Sequence, residues 1–248
     1  TDGHKGRAQA NVSVMINGQA GDGLPVITVP ATVNSNATSL FTKVDLGTAT
    51  AMDSAGKPLA VSLVSGNTFF APGANLAYWQ ATDSSGRKAV KSQLVNITPL
   101  VSLGKDMDVT ENQRVVVKVL LNGPAPSYPV RVPFSVSGTA TPADHSLADG
   151  VLDITEGTEG QIVFDVLPDN VQEGMETIVI RLGNDVNRGS QAQTTIRVRE
   201  DNIAPSLTMS VLQQNQQKLT VAKNQGLVTV VATVHEMNPQ DTVSRLWQ

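Results

Sequence analysis

The sequence contains no cysteine, which excludes disulfide bonds, thiol nucleophiles and zinc sites built on thiolates. Basic residues are also few: 18 Lys and Arg are outnumbered by 22 Asp and Glu, which gives a net charge of -4. Because no basic excess is available to neutralise phosphates, we predict that nucleic acid is not a partner. No apolar run approaches the roughly 20 residues of a membrane-spanning helix, so we expect no membrane span in this segment.

Signals for helices and for catalysis are missing as well. Apolar residues do not recur at three-and-four spacing over ten or more positions. The chain has three histidines, His4, His145 and His235, but it has no HExxH or GxSxG pattern and no phosphate-binding glycine loop. We therefore predict that the chain is not an enzyme. We expect His145 to pack in the fold or to support a neighbouring ligand.

A strand-and-turn pattern repeats through the chain. Short runs rich in Val, Ile and Thr alternate with breaks rich in Gly, Pro, Asn and Asp, which is typical of strands joined by turns. In the middle third these runs cover residues 115–121, 129–136, 150–154, 161–167, 176–182 and 194–200. The pattern predicts an all-β protein of tandem immunoglobulin-like antiparallel β-sandwiches. Aromatic residues make up only 4% of the chain, so we expect cores of Val, Ile, Leu and Ala.

Acidic residues recur at every second strand break between Glu111 and Asn202. Because successive antiparallel strands reverse direction, breaks two strands apart fall at the same end of a sandwich. The four segments concerned carry Glu111, Asp144, Asp169, Asn170, Glu173, Glu176, Glu200, Asp201 and Asn202. Carboxylates gathered at one end repel each other, and a hard cation that takes about six to eight oxygen ligands relieves this repulsion. We therefore predict that Ca²⁺ binds there.

Four motifs in this region carry a family resemblance. They are VTEN at Val109–Asn112, SGTATPADHSLADG at Ser137–Gly150, LPDNVQEGMET at Leu167–Thr177 and REDN at Arg199–Asn202. With them, the stretch from about 101 to 202 resembles a Calx-beta domain, the calcium-binding sandwich of sodium/calcium exchangers, integrin beta-4 and many bacterial surface proteins. The resemblance implies the same ligand set and adds the backbone carbonyl of Val171.

Two positions depart from the calcium-binding members of that family. An amide is present at Asn170, where many of them have a second aspartate, and another at Asn202, where many have the last residue of an acidic triplet. An amide keeps an oxygen ligand but removes a charge. We therefore expect one or two ions, bound no more tightly than about 10⁻⁵ to 10⁻³ M.

Residues 24–99 form a second complete module by pattern. The opening PVITVP, the LGTATA segment that precedes Asp53, and the run from Pro72 through Trp79 to Gly86 resemble a hyalin-repeat (HYR) domain, an immunoglobulin-like sandwich. We expect Trp79 to lie in its core. Asp53 and Asp83 occur in the turns DSAG and DSSG, where an Asp side chain typically caps its own turn.

Two partial modules flank these domains. Residues 1–18 resemble the last strand of a PKD-like or cadherin-like module, and 204–248 resemble the first half of a PKD-like module. In the second of these we predict strands at 207–213, 218–222 and 227–234, with Trp247 in the core. The predicted domains are thus 1–18, 24–99, 100–203 and 204–248. We expect this chain to be a segment of a longer tandem array in a large secreted or surface protein, bacterial because cysteine is absent.

The most direct function for such an array is structural. We predict a non-catalytic extracellular adhesion stalk at a cell surface, stiffened by Ca²⁺ at the end of the Calx-beta-like domain. Its expected partners are neighbouring modules of the same chain, with surface glycans or proteins as further candidates. Two alternatives remain open: accessory modules of a large secreted hydrolase or protease, and a filament subunit in which identical chains assemble by strand exchange.

Overall fold

Every regular element in the computed structural model, which describes residues 23–168, 174–199 and 205–236, is a β-strand. The strands group into two units. The first holds the described residues up to Pro99 together with Gly123–Ser127, and the second holds Leu100–Asn122 and the described residues from Tyr128 onward. The predicted all-β class and sandwich architecture are confirmed. The predicted segment 1–18 lies outside the described residues.

The first unit pairs short strands around two long central ones. Its strands are β1 (Val26–Thr28), β2 (Val33–Asn36), β3 (Thr42–Lys43), β4 (Thr50–Met52), β5 (Pro58–Leu59), β6 (Val61–Leu63), β7 (Phe69–Phe70), β8 (Gly73–Thr82) and β9 (Lys88–Thr98). They form a four-stranded sheet in the order β2-β9-β8-β6, a three-stranded sheet β1-β4-β5 and the pair β3-β7. The β2–β9 pair is parallel and the others are antiparallel.

The core of the first unit contains the buried side-chain amide of Gln93, whose oxygen and nitrogen both form hydrogen bonds. Trp79 is 8% exposed, and its indole Nε1 donates a hydrogen bond to Gln93 Oε1 at 2.9 Å. The Gln93 amide Nε2 in turn donates to the carbonyls of Ala31 at 2.8 Å and Leu46 at 3.0 Å. Because a buried amide is costly unless it is hydrogen-bonded, these bonds fix β8 and β9 against the segments that cover them. The predicted core position of Trp79 is confirmed.

The second unit contains eight described strands of a sandwich. They are β10 (Val101–Leu103), β11 (Met107–Thr110), β12 (Arg114–Leu121), β13 (Val130–Gly138), β14 (Gly150–Ile154), β15 (Glu159–Asp165), β16 (Glu176–Leu182) and β17 (Gln193–Arg199). One sheet has the order β10-β12-β15 and the other β11-β17-β16-β13-β14. All pairs are antiparallel except β11–β17.

The core between these two sheets is mostly aliphatic, as its sequence predicts, with Phe164 as a buried aromatic residue. Along β12 exposed and buried residues alternate strictly, which places every second side chain inside. The side chains with no exposed surface include Val117, Val119, Val132, Ile178, Ile180 and Ile196. Each such residue contributes about 1.5 to 3 kcal/mol by leaving water, so this core is the main source of stability in the unit.

The last described strands form a hairpin of their own, β18 (Ser206–Gln213), β19 (Gln216–Gln217) and β20 (Val228–His235), in the order β19-β18-β20. Two of the three strands predicted here are confirmed. The third, at 218–222, is wrong: this stretch is a loop in which Leu219 is fully exposed. Its Ala222 pairs with the Gln213 side-chain amide through two hydrogen bonds instead of with a strand. The prediction for Trp247 lies outside the described residues.

A search of the described residues finds no helix that is long and apolar enough to cross a membrane.

Candidate calcium site

One end of the second unit gathers the segments that the sequence singled out. Strands β11, β13, β15 and β17 end there, and β12, β14 and β16 begin there, as their registers show. We call this the acidic end. The sequence argument assumed that every strand reverses direction, but β11 runs parallel to β17. The conclusion survives because parallel neighbours finish at the same end of a sheet.

Glu111 is the residue directly after β11. Its backbone N–H donates to the carbonyl of Arg199 at 3.1 Å, which continues the β11–β17 pairing by one residue. The residue as a whole is only 9% exposed. A carboxylate is therefore held at the edge of the core, next to the point where β17 ends.

Asp144 lies in the loop between β13 and β14 and is even less exposed, at 5%. A tight turn fixes it: the Asp144 N–H donates to the Thr141 carbonyl at 3.0 Å, and the Thr141 N–H donates to Asp144 Oδ2 at 2.5 Å. The Asp144 carbonyl accepts from the Leu167 N–H at 2.8 Å, which ties this loop to the segment after β15. Thr141 was not predicted as a functional residue, although a Thr three positions before an acidic residue is a pattern in which the acid side chain reaches back to the Thr N–H.

Glu176 begins β16 opposite Val198 of β17 and is half-buried. The structure thus places three predicted ligands, Glu111, Asp144 and Glu176, at the acidic end, on three separate segments. The other predicted ligands lie outside the described residues: Asp169, Asn170, Val171, Glu173, Glu200, Asp201 and Asn202.

Within the residues that the structure describes, no group of three or more His, Cys, Asp or Glu side chains is arranged to hold a metal ion. The described carboxylates therefore do not complete a site by themselves. Their chemistry still fits Ca²⁺, since carboxylate oxygens on a partly buried surface are the ligands this ion prefers. The calcium site stays a prediction.

His145 follows Asp144 and packs inward. It is 7% exposed, its Nδ1 accepts a hydrogen bond from the Leu147 N–H at 3.2 Å, and its ring meets Phe164 edge-on with centroids 6.4 Å apart. These contacts hold the Asp144 loop against the core. The predicted packing role of His145 agrees with them.

The described strands define a class: this is an all-β chain of immunoglobulin-like sandwiches. No protein-family model matches it, and no curated protein matches it either. Among solved structures, it is similar to an apo-form Calx CBD1 domain, with 22% identity and a TM-score of 0.35 over 41% of this chain and 98% of that one.

Two further solved structures are similar at lower identity. The calcium binding domain CBD12 of CALX1.1 has 17% identity and a TM-score of 0.37 over 56% of this chain and 71% of that one. Protocadherin gamma B7 extracellular cadherin domains 1–4 have 12% identity and a TM-score of 0.34 over 87% of this chain and 76% of that one. All three scores lie below 0.5, so the fold assignment rests on the strand pairing. The HYR and PKD-like resemblances and the bacterial origin remain predictions.

Proposed function

We propose that this chain is a non-catalytic region of an extracellular adhesion stalk, and that Ca²⁺ bound at the acidic end stiffens it. The observation that carries the proposal is the burial of Asp144 at the same end as Glu111. Among the described residues, no ion pair joins Asp144 to a cationic side chain. A buried carboxylate is costly unless a counter-charge is near, and a bound cation supplies that charge.

The ion would act on loops rather than on the core. Glu111, Asp144 and Glu176 approach the acidic end on separate segments, so one cation shared among them adds links between side chains to the backbone hydrogen bonds that already join these segments. The remaining predicted ligands extend the set with the side chains of Asp169, Asn170, Glu173, Glu200, Asp201 and Asn202 and the carbonyl of Val171. Linking these loops reduces their freedom, and a less mobile end makes a stiffer junction with a neighbouring module.

Thermal unfolding of the full chain tests this role, first in excess EGTA and then in millimolar Ca²⁺. At free Ca²⁺ about a hundredfold above the dissociation constant, binding adds about 2.7 kcal/mol to stability. We expect a rise in Tm of roughly 10 °C, which is the size that such an energy gives in a domain of about a hundred residues. Glu111→Gln and Asp144→Asn should each remove most of the rise, because they keep the side-chain shape and delete the charge.

Asp153→Asn is the matched control. Asp153 lies on β14 of the same unit and forms an exposed ion pair with Arg131 at 3.5 Å. This variant changes the net charge equally and should keep the full response to Ca²⁺. An unchanged Tm in Ca²⁺, or an equal loss in all three variants, would overturn the proposal.

The alternative of accessory modules in a secreted hydrolase would be favoured by a surface that binds polysaccharide. An exposed row of tryptophans would have favoured it, because such side chains stack on polysaccharides. Trp79 is instead buried in the first unit.

A further inference from the structure

The outward face of the four-stranded sheet β2-β9-β8-β6 carries almost no charge. Ala77, Trp79 and Val95 are buried, so alternation turns Leu76, Tyr78 and Leu94 outward. On this face of the four described strands the one charged side chain is Lys88, at the first position of β9. We call this surface the neutral face.

An apolar centre and a polar border can be distinguished on the neutral face. Leu76 and Leu94 are directly paired across β8 and β9 and are 46% and 39% exposed, and Tyr78 follows along β8. On one side of this centre, Asn96 Nδ2 donates to Asn34 Oδ1 at 2.9 Å. Amide donors and acceptors thus border an apolar strip on the outward face of the sheet.

The lack of charge extends along the sequence. Residues 23–42, 58–82 and 92–104 contain no Asp, Glu, Lys or Arg, and these segments supply β2, β6, β8 and most of β9. A surface with about 25–35% charged residues is the composition recommended for a soluble domain. The outward faces of the second unit follow that rule, with ion pairs such as Lys118–Glu159 at 2.9 Å. The neutral face is therefore a local departure, and it is suited to a partner that carries no charge.

We propose that the neutral face binds a chain of neutral polysaccharide. Sites for small molecules are concave, whereas the side chains of this face are spread along an open sheet and contact enough of a ligand only when the ligand is extended. Sugar hydroxyls both donate and accept hydrogen bonds, as the Asn and Gln amides of this face do. The C–H faces of the sugar rings pack on Leu76, Leu94 and the Tyr78 ring.

The residue composition of the neutral face favours a polysaccharide partner over a protein partner. The buried centre of a protein interface is mostly apolar. Here Ser92 is opposite Tyr78, and Gln80 and Ser62 approach each other at 3.4 Å beside it, so hydroxyls and amides reach the middle of the sheet. This binding is separate from the calcium role, and it is measured in EGTA as well as in Ca²⁺ so that either proposal can fail alone.

Affinity electrophoresis of the full chain tests the proposal, in native gels that contain galactomannan, xyloglucan or, as an anionic comparison, alginate. We expect at least one neutral polymer to retard the chain and alginate to leave its mobility unchanged. Leu94→Asp places a charge in the apolar strip and should weaken the retardation at least fivefold. Leu120→Asp is the matched control, since Leu120 is also 39% exposed and faces outward on β12 of the second unit.

Three results would overturn the proposal: no retardation by either neutral polymer, equal weakening by Leu94→Asp and Leu120→Asp, or retardation by alginate alone. Sedimentation velocity on the same samples checks for a fourth result that would overturn the proposal, which is self-association. If the chain forms a dimer that Leu94→Asp dissociates and that no polymer competes with, the neutral face is an interface between two copies of this chain, and the polysaccharide proposal is wrong.

Discussion

Asp53 and Asp83 occupy turns with the same hydrogen bonds in the first unit. In each turn one carboxylate oxygen accepts from the N–H groups two and four residues later, at 2.8 to 2.9 Å. Gly56 and Gly86 follow with φ of 79° and 80°, which glycine adopts at little cost. The turns differ in one respect: Asp83 Oδ2 also accepts from the Arg87 guanidinium Nε at 2.7 Å, and Asp83 is buried. The predicted turn-capping role of both residues is confirmed.

The ionisation of Asp83 should make the stability of the chain depend on pH. Burial acts to raise the pKa of Asp83, but hydrogen bonds from the Arg87 amide and guanidinium and from the Ser85 amide, with the Arg87 charge, hold the pKa below its usual value. A carboxyl with a lowered pKa in the folded state contributes stability above its unfolded pKa of about 3.9 and loses it as pH falls through the folded value. We expect Asp83→Asn to be destabilised at pH 7, with the difference from wild type shrinking below about pH 4.

Urea unfolding from pH 7 down to the acid limit of folding measures this difference. Arg87→Gln serves as the control, because it removes the guanidinium and keeps the backbone hydrogen bonds to Asp83. It should reduce the pH dependence in part. A gap between Asp83→Asn and wild type that is constant over the whole pH range would contradict the assignment.

At the level of elements, the hairpin β18–β20 differs from the sandwich strands. Leu207 and Met209 are each 59% exposed and Val230 is 44% exposed, so the hairpin buries little apolar surface. A small sheet is stable on its own only when it packs a hydrophobic face, and segments with few buried contacts open at low free energy.

Hydrogen exchange measured by mass spectrometry on the full chain should show this contrast. We expect backbone amides of β18 and β20 to exchange on the order of a hundredfold faster than those of β16 and β17. Each of the latter two strands is paired with a neighbouring strand on both of its edges. Peptides from β12 supply an internal reference within the same unit. Equal protection in the hairpin and in β16 would mean that an unrecognised contact covers the hairpin.

The strands that could be predicted are those whose side chains alternate clearly. The runs at 115–121 and 176–182 carry apolar residues with strand periodicity, and the structure has β12 and β16 there. The strands β10 and β11 were not predicted, because runs of three or four residues interrupted by Ser102 or Asp108 give too short a pattern. The run at 218–222 has the composition of a strand, but after the Lys218 N–H donates to the Val211 carbonyl of β18 at 2.8 Å the stretch leaves the sheet as a loop, and composition does not show where pairing stops.

The acidic end could be predicted in outline only. Counting strand breaks was enough to predict that Glu111, Asp144 and Glu176 lie at the same end of the sandwich. It did not reveal that Glu111 and Asp144 are buried, since burial depends on Thr141 closing one loop and on β11 pairing in parallel with β17. The donors in those contacts are backbone N–H groups, which are the same for nearly every residue type and therefore leave little trace in the sequence.

At the scale of the whole molecule, the stalk and the filament differ in how the exposed hairpin is covered. In a stalk, further strands of the same polypeptide complete each module, and separate chains have no reason to associate. In a filament that assembles by strand exchange, strands of one chain pair with the open edges of another. A net charge of -4 adds a weak repulsion between copies in either case.

Light scattering coupled to size exclusion distinguishes the two arrangements. Under the stalk proposal, we expect the mass of one chain, 26.1 kDa, over a roughly hundredfold range of concentration, because separate chains of a stalk have no reason to associate. Val230→Glu tests the hairpin directly, and Val116→Glu on β12 is its control at 42% exposure. A mass that rises with concentration, and that falls to one chain in Val230→Glu but not in Val116→Glu, would replace the stalk by a self-assembling filament. An unchanged mass of one chain in all three proteins is the result that the stalk proposal expects.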